Sequence, residues 1–528
     1  MGRGIERFLG RLLDVGKRLF CDTATKLFIQ NNRKRWKRID APLRGKILVE
    51  RNSLQHCIIS WSYFANYLGE VYDSKIYTYS DRGKINNYVL DSIYKSFGSQ
   101  GNIQEILSLD QKQEAEKICD VLFEKCKTKQ DWYNATILDY HVGIDIYESY
   151  LILGKPTINP TDLVFRNIVK EAAEKTVFWE KKLKELSVNA ILISHDCYLG
   201  NIIRRVANRK KIPVYQITTG WGVELKEGFS FGDRYKCYRT LFRQLPLEKQ
   251  KAGKQWAKKQ LERRFSGEIG VDMFYSKKSS FGEVDPQKHI LNDDGKIKVL
   301  ICPHSFFDNP NCIGKRLFID YYEWISYLGE ISNLTDYDWY VKLHPDYRSG
   351  EIEVIQDIIK KYPKFKLIDE NVSHKQLAYE GLNFALTVYG TIACEYPLLG
   401  VQVINAGNNP HIAYDFSWTP SSLEEYREWL LNLDQLHKDI NPEEIYEFYC
   451  VHHIYGNYDS KMRGRDDLIF KSEKNMRETL GNEVYTSKMY RYFLDELDDE
   501  RHEIIKDNVK QYFQQINDYD MNKLYIRE

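Results

Sequence analysis

The chain lacks any apolar run approaching the ~20 residues that a membrane span needs. Its first residues lack a compact apolar core and a small-residue cleavage site, so no secretory signal is read and a cytoplasmic location is expected. Its 10 cysteines include no C-x-x-C pair and no His/Cys cluster at metal-ligand spacing. Cys197, Cys302 and Cys394 therefore read as reduced, buried thiols. Neither a G-x-G-x-x-G nor a Walker-type loop occurs, which argues against nicotinamide and ATP-hydrolysing chemistry. There is no internal repeat and no low-complexity tract. Charge of one sign is missing too: 76 Lys and Arg stand against 75 Asp and Glu, so bulk charge implies no nucleic-acid partner.

What is present is size and pattern. The chain has 528 residues, room for two or three domains with sizeable cores. Tyrosine is abundant, at 38 residues, and Tyr-rich clefts suit sugars. Residues 1–40 form a basic amphipathic segment. Ile5, Phe8, Leu9, Leu12 and Leu19 recur at helical spacing, Arg3, Arg7, Arg11, Lys17 and Arg18 supply charge, and "NNRKRWKR" adds a basic cluster around Trp36. Residues 1–38 fit an anionic membrane surface, which would put the protein at the inner face of the plasma membrane. The same pattern fits a helix packed on the protein's own body and followed by a solvated basic turn.

Two α/β blocks follow. In residues 41–292, "GKILVE", "KIYTYS", "NAILIS" and "PVYQI" read as strands, with a mostly helical insertion from Ile85 to Leu186. Residues 293–470 alternate more regularly. Strands are read at 298–304, 339–345, 365–369, 384–388 and 401–407, with helices around 321–331, 351–362, 373–379 and 391–399. Short continuous apolar runs alternating with amphipathic helices predict parallel sheets. The expected fold is α/β: two Rossmann-like domains facing across a cleft, with added N-terminal and C-terminal helices, the last over 471–528.

In such sheets ligands bind beyond the carboxyl ends of the strands, and this ranks the residues. The second block ends its strands in His304, Ser305 and Asp308, then His344-Pro345, Asp369-Glu370, Tyr389-Gly390-Thr391, and Asn405 to Gly407. Gly390 allows a tight turn, and Thr391 is expected to begin a helix whose free N–H groups suit a phosphate. Glu395, one turn on, would accept hydrogen bonds from ribose or sugar hydroxyls, or simply sit on the helix surface. His344 would donate to a departing phosphate. Lys342 shares its side of the strand but lies deeper. In the first block, Asp196 is the candidate general base, with His195 as alternative and Glu50 as a third. Asp196 reads equally well as a helix cap. Gly220-Trp221-Gly222 would shape an acceptor pocket. The Asp336/Asp338 and Asp518/Asp520 pairs are poorly placed for a metal–diphosphate site, so no metal ligand is expected.

"PHSFFDNP", "EWI", "VKLHP" and "YGTIACEYPLLGVQVINAG" together resemble the C-terminal half of GT-B glycosyltransferases of bacterial surface polysaccharide (capsule and lipopolysaccharide) synthesis. The His-Pro motif is like that of Kdo- and sialic-acid-type transferases. Related patterns occur in teichoic-acid glycerophosphotransferases and nucleotide-sugar 2-epimerases. The resemblance spans residues 296–430, and more weakly 189–222. It implies a nucleotide-sugar donor, with no other cofactor, held through its phosphate by His344, Gly390 and Thr391. It also implies a glycan or lipid-linked glycan acceptor deprotonated by an acid that Asp196 matches. Gly390-Thr391 departs from the family's Ser-Ser or Ser-Thr form, which leaves CMP-, UDP- and GDP-linked donors open.

Overall fold

The computed structural model describes residues 21–36, 45–80, 87–217, 222–227, 235–270, 278–311, 314, 316–344, 347–455, 469–470, 476 and 479–517. The apolar positions Ile5 to Leu19, the Gly220-Trp221 step, Pro345 and the Asp518/Asp520 pair lie outside the described residues.

Two parallel sheets organise the chain. The first is built from β1 (Gly45–Glu50), β2 (Ser74–Ser80) and β3 (Asn102–Gln104). After a small hairpin, β4 (Thr136–Ile137) and β5 (Tyr140–His141), it resumes with β6 (Val188–Ile193), β7 (Val214–Ile217) and β8 (Gly222–Glu224). Its spatial order is β3-β2-β1-β6-β7-β8, and β8 is its one antiparallel strand among the described residues. The second sheet holds β9 (Lys298–Ile301), β10 (Asp338–Lys342), β11 (Phe365–Ile368), β12 (Phe384–Thr387) and β13 (Gln402–Asn405), in the order β11-β10-β9-β12-β13. In each sheet the chain builds outward from the first strand, then returns to that strand's other side. This reversal creates a crevice at the carboxyl ends, between β1 and β6 in one sheet and between β9 and β12 in the other.

Alternation along β9 shows how the second sheet is sandwiched. Val299 and Ile301 join one apolar layer with Trp324 and Trp339, while Leu300 joins the opposite layer with Tyr340 and Val403. The helices Tyr238–Arg243 and Leu247–Phe265 pack with Pro442–Cys450 and with Cys394, Tyr414 and Phe416, beside the second sheet. The C-terminal helix Asp499–Asn517 returns to the first sheet, where Phe513 meets Phe64, Tyr67 and Tyr215.

The helix Thr23–Arg35 lies on the same body. Phe28 stacks on Tyr490 at 4.3 Å, Arg35 pairs with Asp499 at 2.8 Å, and Trp36 meets the edges of Tyr63 and His502. The basic residues Arg33, Lys34 and Arg35, expected in a solvated turn, are thus the last turn of a packed helix. Among the described residues no helix is long and apolar enough to cross a membrane.

Three local expectations are corrected. The stretch 85–186 is mostly helical as expected, but it also carries the polar edge strand β3 and the hairpin β4–β5, which the pattern did not show. The strands carrying the histidines end early, β9 at Ile301 before Pro303, and β10 at Lys342. His304 and His344 are thus loop residues just past the sheet edge. The helix expected over 391–399 is one α-turn, Ile392–Glu395, followed by a 3₁₀ turn, Tyr396–Leu399, because Pro397 has no N–H to continue the ladder. Thr391 makes no side-chain cap, and so short a helix supplies little dipole.

Candidate active site

A cavity of about 580 Å³ opens at the carboxyl edge of the second sheet. It is lined by His304, Asp308, Lys342, His344, Tyr389, Gly390, Thr391 and Glu395, which the sheet brings together from the ends of β9, β10 and β12. β9 lies between β10 and β12, so His304 sits between His344 and the Tyr389–Thr391 turn, at the switch point.

Asn405 stands apart from these residues. It is fully buried and donates to Ser417 Oγ at 3.0 Å and to the Trp418 carbonyl at 3.1 Å, so it anchors the 409–419 loop and touches no ligand space.

His304 positions the site. Its Nε2 accepts the backbone N–H of Tyr389 at 3.3 Å and lies 3.1 Å from Thr387 Oγ1. Burial, reinforced by positive charge on His344 and Arg316, pulls its pKa down to about 3, so the ring is neutral and acts as an acceptor. It stacks on Tyr321, whose hydroxyl bonds that of Tyr389. The turn is tight. A Cβ on Gly390 would come within 2.7 Å of Thr387 Oγ1, the atom that accepts the Gly390 N–H.

Lys342 is, with Arg264, a buried cation of the cavity. Only 3% of it is exposed, and Nζ donates to the Glu370 carbonyl at 3.1 Å. Burial lowers its pKa, while Cys302, Glu370 and Asp369 oppose that shift. The other basic groups are partly matched: Arg348 lies 3.5 Å from Asp308, and exposed Lys278 lies 3.8 Å from Glu370. His344 is exposed at the rim, its ring 6.3 Å from that of Tyr347.

Several residues that position the cavity carry no local sequence signal. Arg264, on the helix Leu247–Phe265, donates to Glu395 Oε1 at 2.9 Å, with both side chains 5% exposed. Glu351 is fully buried and accepts from Ser305 and from the Arg348 N–H, tying the loops after β9 and β10 together. His452 sits in a π-helical turn, Val451–Tyr455, that closes one wall. Such turns recur at functional sites, yet "VHHIY" has no signature that would reveal one.

The loop after β6, at the carboxyl edge of the first sheet, reaches the Asp308–Asn309 segment at the rim of this cavity. It carries His195 and Asp196. Its Cys197 thiol meets the Asn309 side chain, and Tyr198 lies within the electrostatic reach of Asp308 and Arg348. Tyr198 is held at φ 59°, ψ −175°, a conformation costly for any residue but glycine. Asp196 pairs with Arg204 at 2.7 Å, and burial lifts its pKa to about 6 against the pull of Arg204 and Arg205. It caps no helix. Glu50 accepts from the Ser194 N–H and hydroxyl. Asp338 is held by Lys366 at 2.6 Å and Asp336 by Lys296 at 2.6 Å. Among the described residues no group of His, Cys, Asp and Glu is arranged to hold a metal.

A polar seam joins the two halves beside the cleft. Tyr147 and Thr157 donate to Asp320, each at 2.6 Å, and Asn311 donates to Glu148 at 2.6 Å. Burial pushes the Glu148 carboxyl up to about 8 from 4.5. The native state then holds a proton that the unfolded chain has released across this window, so stability falls as pH rises from about 4.5 to about 8. Glu148→Gln removes that dependence. Its thermal midpoint should match wild type near pH 5 and exceed it at pH 8 by about 1 °C per kcal/mol recovered, given the unfolding entropy of a chain this long. Equal midpoints at pH 8 would contradict the buried, protonated carboxyl.

No family model matches the chain, and no curated protein matches it. Among solved structures it is similar to Thermosulfurimonas dismutans KpsC, a beta Kdo 2,4 transferase, at 13% identity over 50% of this chain and 79% of that one, with TM-score 0.29. It is similar to UDP-GlcNAc 2-epimerase from Neisseria meningitidis bound to UDP-GlcNAc, at 12% identity over 77% and 98%, with TM-score 0.20. A glycosyltransferase from Rickettsia africae ESF-5 matches at 10% identity over 83% and 99%, with TM-score 0.24. These are distant likenesses, and the site stands on its own geometry.

Proposed function

We propose that the chain is a GT-B-type glycosyltransferase that moves a sugar from a nucleotide-activated donor to a hydroxyl of a growing surface glycan. One observation carries the reading. A buried cation, a rim histidine and a glycine turn converge on one cavity at the switch point of a parallel sheet, and the loop after β6 reaches the Asp308–Asn309 segment at its rim. The donor's phosphate lies by Lys342, His344 and the Gly390-Thr391 turn. The acceptor approaches from the loop Ser194–Tyr198. The acceptor oxygen bonds to the anomeric carbon as the carbon–oxygen bond to phosphate breaks. The electron pair leaves with the nucleotide, and the acceptor's proton passes to a base on that loop. A single displacement of this kind inverts the anomeric centre, and it needs no metal where Lys342 and His344 face the departing charge.

The test separates a binding lysine from a structural one. A lysine kept only for packing gains nothing from its charge, so Lys342→Met should leave nucleotide affinity unchanged. In this reading Lys342→Met weakens binding of UDP, GDP or CMP about tenfold or more in titration calorimetry, the loss of one charge-assisted hydrogen bond. The same substitution raises the thermal midpoint, because a desolvated charge is replaced by an apolar chain of similar length. Unchanged affinity would remove Lys342 from the site.

A further inference from the structure

Glu50 ends β1 and Ser194 follows β6, the strands flanking the switch point of the first sheet. One carboxylate oxygen, Glu50 Oε2, accepts the Ser194 backbone N–H at 2.6 Å and the Ser194 hydroxyl at 2.7 Å. The single hydroxyl proton is thereby committed, so Ser194 Oγ offers its other neighbour a lone pair. That neighbour is His195 Nδ1, at 2.9 Å. Nδ1 must then carry the proton, which leaves the lone pair on Nε2 of an exposed ring.

We propose that Glu50 and Ser194 orient His195 as the general base, with Nε2 taking the proton of the acceptor hydroxyl. The inference rests on the transferase reading and deepens it. As the new carbon–oxygen bond forms and the bond to phosphate breaks, the proton moves to Nε2. The imidazolium charge is balanced through Ser194 by Glu50, and water later takes the proton. Glu50 and Ser194 are positioning residues, for neither meets the reacting atoms. Asp196 is the rival. Its Oδ1 is held by Arg204 Nη1, and its side chain is only 17% exposed, whereas the adjacent His195 is exposed. The left-handed backbone at Tyr198, three residues on, fixes the same loop.

The test uses the full chain labelled with ¹⁵N-histidine. Long-range ¹H–¹⁵N spectra of wild type, with His195 assigned by its loss in His195→Ala, should show the Nδ1–H tautomer. Ser194→Ala should convert it to the Nε2–H form that free imidazole side chains favour. In donor turnover, His195→Ala should lower kcat about 100-fold, and Glu50→Gln, which keeps both hydrogen bonds without the charge, about tenfold. The donor KM should stay unchanged in both. An Nε2–H tautomer in wild type overturns the proposal. So does a His195→Ala enzyme of normal kcat beside an inactive Asp196→Asn, and the transferase reading then survives. Absence of turnover by wild type with every nucleotide sugar removes both readings together.

Discussion

His344→Ala lowers acceptor-dependent nucleotide release about 100-fold or more while leaving the thermal midpoint near that of wild type. The two halves of this expectation come from different facts. His344 is exposed just beyond the end of β10, and an exposed side chain outside any core contributes within about 0.5 kcal/mol of stability. His344 lines the rim of the same cavity as Lys342, and in the proposed reaction this sets it against the phosphate oxygen on which negative charge grows. A donor aimed at developing charge contributes roughly 100- to 1,000-fold in rate. Steady-state kinetics with the most active donor, paired with calorimetric unfolding, reads both halves. A near-wild-type rate would take His344 out of the mechanism and leave it a loop residue.

Glu395→Ala should act in the opposite sense, on stability first. Sequence spacing places Glu395 one turn from Thr391 and allows a contact to ribose. The fold gives one of its oxygens to Arg264 instead. Arg264 also donates to Ser279 Oγ at 3.1 Å and lies 4.8 Å from the Phe281 ring centroid, so the pair ties the helix Leu247–Phe265 and the 278–281 segment to the floor of the cavity. Removing one member leaves a desolvated guanidinium without its counter-charge, which costs about 3–5 kcal/mol. The double variant Arg264→Met/Glu395→Leu should recover most of that loss, because no charge is then stranded. Thermal unfolding of the two singles and the double measures the coupling. If Glu395→Ala unfolds like wild type but binds nucleotide weakly, the ribose contact is right and the structural role is wrong.

Much of this architecture could be read from hydrophobic pattern. β1, β6, β7, β9, β10, β12 and β13 are short, largely apolar runs buried on both faces, and β2 and the edge strand β11 keep enough β-branched and aromatic residues that nothing in their context opposes the strand reading. β3 escaped because Asn102, Ile103 and Gln104 form a short, polar edge with one apolar residue. The 391–399 stretch reads as one helix, but a single Pro397 converts its second half into a 3₁₀ turn. The carboxyl-edge rule located His304, His344 and Gly390, since strand order alone brings them together. Asn405 met the same rule and failed it, because its side chain turns inward to the 409–419 loop. The partners that tune the site were invisible, since Arg264 meets Glu395 across 131 residues and Ser194 meets Glu50 across 144. Contacts at that range follow from how helices and sheet edges pack, which no local spacing encodes.

The most direct test of glycosyl transfer is nucleotide release from a panel of CMP-, UDP- and GDP-linked sugars, followed by chromatography with and without a surface-glycan acceptor. One nucleotide class is expected to be released only when acceptor is present, with the acceptor gaining one sugar. A donor sugar converted without acceptor would contradict it and favour an epimerase acting in the same cavity.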